Sequence, residues 1–308
     1  MAKHIQILDG GMGRELSRNG APFRQPEWSA LALIEAPEYV RQAHDAFIAA
    51  GAQVISTNSY AVVPFHIGEA RFNNDGTALA QLAGTLARAA ADASPHAVRV
   101  AGSLPPPLGS YRPDLFEPVQ AGKVLRVLID ALSEHVDLWL AETQSSIAEV
   151  RLVAELLKDD PRPRWFSFTL DDALDAEGKA RLRSGESITD AVLAAVELGA
   201  ASVLFNCSPP EVMSAALLEA GQHSSLPLGI YANAFEPSDH KRGANVGISA
   251  LRRDTQPDNY LRWAREWVDQ GASIVGGCCG IGPEHIRALS TALTGSESVP
   301  VAQDALHV

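Results

Sequence analysis

Eight short apolar runs punctuate this chain, each followed by a polar residue, a loop and an amphipathic helical stretch. They fall at 5–8, 53–57, 98–102, 138–141, 165–168, 202–205, 228–231 and 273–275. Runs this short and this continuously apolar suit strands covered on both faces, which is how a parallel sheet with helical crossovers is built. Between them, Val40, Ala43 and Phe47 share one helical face, as do Tyr260, Ala264 and Trp267. Eight such units predict a closed (β/α)8 TIM barrel, a single domain over residues 1–308. A doubly wound open sheet is the alternative. The polar, proline-containing tail at about 294–308 is expected to fray.

Local signals agree with this rhythm. Pro37 suits the first turn of a helix. Ser146 and Glu149 have the spacing of a capping box, opening a helix that presents Val150, Val153 and Leu157. Gly51-Ala52, Gly199-Ala200 and Gly271-Ala272 repeat one punctuation, a glycine cap closing a helix just before a strand.

The 37 acidic and 25 basic residues give a formal charge of −12, which disfavours nucleic acid and anionic membrane as partners. No run approaches the roughly 18 apolar residues of a membrane span. The N-terminus lacks the apolar region of a signal peptide. Three cysteines, two of them adjacent, do not make a disulfide framework, so a reducing cytoplasm is expected. Nothing here indicates an oligomeric state.

A parallel barrel gathers its chemistry at the C-terminal ends of its strands. The residues expected there are Asp9, Asn58, Ser103, Glu142, Thr169, Cys207, Asn233 and the pair Cys278-Cys279. All three cysteines of the chain are in that set. Three thiolates with one vacancy make a zinc site open to a fourth ligand, one ion per chain. Adjacent residues on a regular strand point to opposite faces, so Cys278 and Cys279 can share an ion only where the backbone leaves strand geometry. Gly276, Gly277 and Gly280 permit that. The competing readings are three small buried hydrophobes, a closed site completed by His223 or His240, and a cysteine nucleophile with a histidine partner. Other motifs are weaker. Gly11-Met-Gly13 follows a strand, but Leu16 stands where a dinucleotide loop needs its third glycine. His66 and His135 read as packed or surface residues, Trp263 and Trp267 as packing. Trp28 lies in an early loop able to cover a barrel mouth.

These residues resemble the homocysteine S-methyltransferase family. The matches are Leu8-Asp-Gly-Gly11, Trp28-Ser29, the segment from Gly51 to Tyr60, Glu142-Thr143, Asn206-Cys207 and Gly276-Gly-Cys-Cys-Gly280. They run in order over about residues 5–290. The resemblance implies a (β/α)8 barrel in which Cys207, Cys278 and Cys279 bind zinc and homocysteine sulfur is the fourth ligand. It implies that Asp9 and Glu142 hold the homocysteine amino group. Gly10, Gly11, Trp28 and Asn206 are expected around that substrate, with Tyr60 and Thr143 toward the methyl donor.

The chemistry follows from the ligand set. A free thiol near pKa 8.5 is mostly protonated at neutral pH, and zinc coordination deprotonates it. Three thiolates and Zn²⁺ sum to −1, which leaves the bound sulfur nucleophilic. The donor must carry its methyl on a positive centre, because a neutral thioether leaves poorly. Methylfolate-using relatives need further folate and corrinoid domains, beyond what 308 residues hold. Betaine-using relatives place an aromatic residue directly after the glutamate, where this chain has Thr143. A sulfonium donor is therefore expected, S-methylmethionine ahead of S-adenosylmethionine. A selenocysteine-type acceptor and a non-catalytic zinc- and thiol-binding barrel are the remaining alternatives. The proline-rich segment 102–109 reads as a rigid rim loop.

Overall fold

The computed structural model describes residues 4–236 and 251–295. His240 and most of the expected tail, from residue 296 on, lie outside the described residues. The eight apolar runs are strands: β1 Gln6–Ile7, β2 Val54–Ser56, β3 Arg99–Leu104, β4 Leu138–Gln144, β5 Arg164–Phe168, β6 Ser202–Asn206, β7 Leu228–Tyr231 and β8 Ile274–Val275. All pair in parallel within one sheet, in the order β1-β8-β7-β6-β5-β4-β3-β2. The two ends of that order meet. Leu8 and Val54 form a parallel bridge, Gln53 N–H donates to Ile7 O at 2.8 Å, and Asp9 N–H donates to Val54 O at 3.0 Å. The sheet closes into a barrel, and the open-sheet alternative is excluded.

Alternation along each strand sorts side chains into two cores. Leu138, Leu140, Trp165 and Leu204 point into the lumen with Leu8, Val54, Ala101, Tyr231 and Ile274. Their neighbours Trp139, Phe166, Val203 and Phe205 point outward, against helix residues such as Phe47, Leu128, Val153, Val192 and Trp267. The apolar faces expected at Val40, Ala43 and Phe47, and at Tyr260, Ala264 and Trp267, are buried in helices Pro37–Ala49 and Pro257–Gln270. The capping box forms as well. Ser146 caps the Glu149 N–H, and the Glu149 carboxylate accepts from Ser146 N–H at 2.9 Å. Gly51, Gly199 and Gly271 take φ of 103°, 73° and 129°, the conformation that ends each helix at low cost.

Of the strand ends at the site, that of β8 falls where the sequence implies and that of β4 does not. β8 stops at Val275 because Gly276 and Gly277 take the chain out of strand geometry, although the ladder bonds continue irregularly. Gly276 N–H reaches Ile230 O at 3.1 Å, and Cys278 N–H reaches Ala232 O at 2.9 Å. β4 runs three residues further than its apolar stretch. A register shift against β5 between Ala141 and Gln144 accommodates Glu142 and Thr143 on the strand.

Candidate active site

A cavity of about 290 Å³ opens at the C-terminal end of the barrel, with lumen residues Leu8, Val54, Ala101 and Leu140 on its wall. Cys207 comes from the end of β6, and Cys278 and Cys279 from the turn after β8. Their three Sγ atoms lie within 4.8 Å of one another. The individual separations are 2.9 Å for Cys207–Cys278, 3.9 Å for Cys207–Cys279 and 4.0 Å for Cys278–Cys279. Tetrahedral zinc with bonds of about 2.3 Å sets its sulfurs about 3.8 Å apart. Two edges already match, and a small swing of Cys278 opens the third. The donor set therefore fits zinc. His223 is exposed at the end of helix Pro210–His223, and no histidine joins the sulfur cluster among the described residues. The closed-site alternative through His223 fails.

The glycines earn their place by close approach. A side chain at Gly11 would set its Cβ 2.5 Å from the Cys278 carbonyl oxygen, and one at Gly277 would collide with Ile281. Gly10 packs as tightly, against Ile281 O and the Phe47 ring. Gly280 turns the chain at φ 87°. These contacts bend the 276–280 segment so that both cysteines face one point. Hydrogen bonds from Cys278 and Cys279 pull the Cys207 thiol well below its ordinary range. The other two are pushed up, chiefly by their bonds to Cys207.

Across the cavity stand Asp9 and Glu142. Asp9 follows β1, and its carboxylate accepts from Ser56 N–H at 2.7 Å and from Ser56 Oγ at 3.1 Å. Glu142, on β4, accepts from Ser103 Oγ and, at 3.4 Å, from Tyr231 OH. Both carboxyls are raised to about 7. For Asp9 burial dominates, the Ser56 N–H opposes it, and the Glu142 charge adds to it. For Glu142 burial again leads, Ser103 opposes, and the Cys207 charge adds. Two acids raised this way favour an incoming ammonium.

Of the other expected residues, Gly10, Gly11, Trp28, Tyr60 and Thr143 line the cavity, as do Asn58 and Asn233. Ser103 and Thr169 act from behind the wall. Asn206 departs from expectation, because it is fully buried and absent from the cavity lining. Its amide is spent on the barrel: Oδ1 accepts from Thr143 N–H at 2.9 Å and Ser167 Oγ at 2.8 Å, while Nδ2 donates to Thr143 Oγ1 at 2.9 Å. Asn206 thus ties the end of β4 to β6 instead of facing substrate. The proline-rich segment also divides, since residues 102–104 belong to β3 and only the remainder is rim loop.

Several wall residues carried no legible signal. Tyr111, next to that rim loop, donates from its hydroxyl to Cys207 Sγ at 2.9 Å. His66, which reads as packing, is buried on the cavity wall among Trp28, Tyr60 and Phe65, its Nδ1 donating to Pro26 O at 2.9 Å. Arg183 and Asp172 reach the cavity from the excursion between β5 and helix Ile188–Glu197. The described non-glycine residues with positive φ are Trp28, Tyr111, Thr143 and Cys207, at 50°, 64°, 60° and 53°, and all four line this cavity. Each costs about 1 kcal/mol or more, and strain of this kind concentrates where function fixes geometry.

Fold and site define a class: a (β/α)8 barrel with a metal-competent thiolate cluster and two buried acids at its catalytic mouth. A family model described as homocysteine S-methyltransferase matches residues 6–293. A homocysteine S-methyltransferase of Escherichia coli K12 is 33% identical over 92% of this chain and 94% of its own length. A selenocysteine methyltransferase of Astragalus bisulcatus is 26% identical over 96% of this chain and 95% of its own. The crystal structure of the metallated form of the E. coli homocysteine methyltransferase MmuM superposes with a TM-score of 0.75 at 29% identity, covering 93% of this chain and 96% of that one. The chain belongs to the homocysteine S-methyltransferase family. It is thereby a methyltransferase acting on a small, homocysteine-like thiol.

Proposed function

We propose that this protein is a zinc-dependent enzyme that moves a methyl group from a sulfonium donor, S-methylmethionine first, to homocysteine, giving methionine. The observation carrying this reading is the meeting of Cys207, Cys278 and Cys279 within 4.8 Å, in one cavity with Asp9 and Glu142. The cysteine sulfurs would hold one zinc ion, which when bound would lower the pKa of the substrate thiol so that its sulfur is nucleophilic at neutral pH.

The protein's own residues do the rest by placement. Asp9 and Glu142 take the homocysteine ammonium, and its charge offsets the burial that keeps both acids high. Asn206 holds Thr143 and the end of β4, so Glu142 keeps its position. Tyr111 fixes the Cys207 sulfur. Trp28 and Tyr60 offer aromatic faces to the sulfonium. In the transfer, an electron pair of homocysteine sulfur forms the new S–CH₃ bond. The donor's S–CH₃ bond breaks with its pair left on the donor sulfur, which departs as a neutral thioether. The attack is in line, so alignment dominates the rate.

The test is a panel of S-methylmethionine, S-adenosylmethionine, betaine and methylfolate with homocysteine and zinc-loaded protein, reading methionine. Sulfonium-dependent product is expected. Product from betaine or methylfolate alone, or from no donor, overturns the reading. Selenocysteine is the natural competitor acceptor, given the plant relatives, and the ratio of kcat/KM values ranks the two.

A further inference from the structure

Arg183 and Asp172 form an ion pair, with Nη2 to Oδ1 at 2.6 Å, that the chemistry above does not use. Both side chains are largely buried, at 13% and 10% exposure, and both line the cavity. Arg183 sits over the Tyr111 ring, its guanidinium carbon 4.6 Å from the centroid, and Nε reaches Thr169 Oγ1 at 3.4 Å. Arg183 therefore sits one tyrosine ring away from the Cys207 sulfur that Tyr111 contacts. Among the described residues, Arg183 Nη1 and Asp172 Oδ2 have no hydrogen-bond partner. An ion pair taken this far out of water stabilises a fold poorly, and apolar replacements of similar size often do as well. Its placement on the wall of a substrate cavity points to a ligand.

We propose that Arg183 and Asp172 together seat the α-amino-acid headgroup of the methyl donor. This rests on the sulfonium reading above and deepens it. The free edge of Arg183 takes the donor's α-carboxylate, and the free oxygen of Asp172 takes its α-ammonium. A neutral pair thereby meets a neutral zwitterion, closing a ring of four alternating charges. The homocysteine ammonium already has Asp9 and Glu142, on the arc of the barrel formed by β1 to β4. The donor headgroup then comes from the β5 side, with its sulfonium directed at the sulfur cluster. S-methylmethionine and S-adenosylmethionine share this headgroup. Betaine and simple sulfonium ions do not.

Three sulfonium donors separate the possibilities with zinc-loaded, full-length protein and homocysteine: S-methylmethionine, 4-(dimethylsulfonio)butanoate, which lacks only the amine, and trimethylsulfonium, which lacks both groups. Wild-type kcat/KM is expected to fall in that order, by about tenfold to a hundredfold per lost charged group. Equal values for S-methylmethionine and trimethylsulfonium overturn the headgroup seat while leaving the sulfonium reading intact. Methyl transfer from none of the three overturns the sulfonium reading itself. Arg183→Gln is expected to cut the S-methylmethionine to trimethylsulfonium ratio about tenfold or more, with Arg183→Lys recovering part of it. Asp172→Asn is expected to cut the S-methylmethionine to 4-(dimethylsulfonio)butanoate ratio. Zinc content near one per chain checks that each variant is folded. Unchanged ratios in folded variants, or a rise confined to the homocysteine KM, overturn the assignment. If the variants do not fold, the wild-type series alone decides it.

Discussion

Asp9→Asn should make the protein more stable and less able to bind its substrate. In the ligand-free barrel, burial raises the Asp9 carboxyl from 3.8 to about 7, against the pull of Ser56. The sign follows from linkage. Below pH about 4 the carboxyl is protonated folded or unfolded, and costs nothing. As pH rises toward 7 the unfolded chain ionises while the folded one resists, so stability falls, and the cost is complete above about pH 7. At about 1.4 kcal/mol for each pH unit of displacement, the full cost is about 4 kcal/mol near pH 8, and somewhat under 2 kcal/mol at pH 5. Asparagine never ionises, and its amide oxygen still accepts from Ser56 N–H. Thermal unfolding of zinc-loaded, homocysteine-free wild type and variant at pH 5 and pH 8 reads the difference. The variant should melt higher at pH 8, and its advantage should widen by about 5 °C between the two pH values, taking a few degrees per kcal/mol. Homocysteine affinity should fall in the same variant, a stability gained at the expense of function. A variant less stable at pH 8, or an advantage that ignores pH, refutes the reasoning about this buried acid.

Glu142→Gln should raise the homocysteine KM by about tenfold or more through loss of one charge-assisted bond, with zinc content kept. Unchanged KM in steady-state assays removes Glu142 from the substrate site. Asn206→Ala should lower the melting temperature and kcat together, because Thr143 and Ser167 lose buried partners at about 1–3 kcal/mol. A variant with normal melting and kcat contradicts its positioning role. Gly11→Ala should weaken zinc retention during dialysis against a chelator, since its Cβ would press 2.5 Å from the Cys278 carbonyl.

The barrel was legible because its signals are periodic and local. Each apolar run became a strand, and the glycine caps at Gly51, Gly199 and Gly271 and the Ser146–Glu149 box formed as the sequence implied. The cysteine cluster was legible too, because paired thiols among glycines have few other uses. Two kinds of feature escaped. The end of β4 moved where the backbone bends for the site, at the Glu142–Thr143 bulge, and periodicity cannot register a bulge. Residues on long loops also escaped. Tyr111, Asp172 and Arg183 sit in polar connections with no spacing rule, and only tertiary folding brings them to the cavity. Asn206 was found by its place beside Cys207, yet its neighbours make it a brace between strands.

Sulfur coordination of the bound metal tests the central claim most directly. X-ray absorption at the zinc edge, on protein loaded with one zinc per chain, should show three sulfurs at about 2.3 Å without homocysteine and four when it is added. Fewer than three sulfurs at the start, or no gain of a fourth with saturating homocysteine, contradicts a site built from Cys207, Cys278 and Cys279 to receive a substrate thiol.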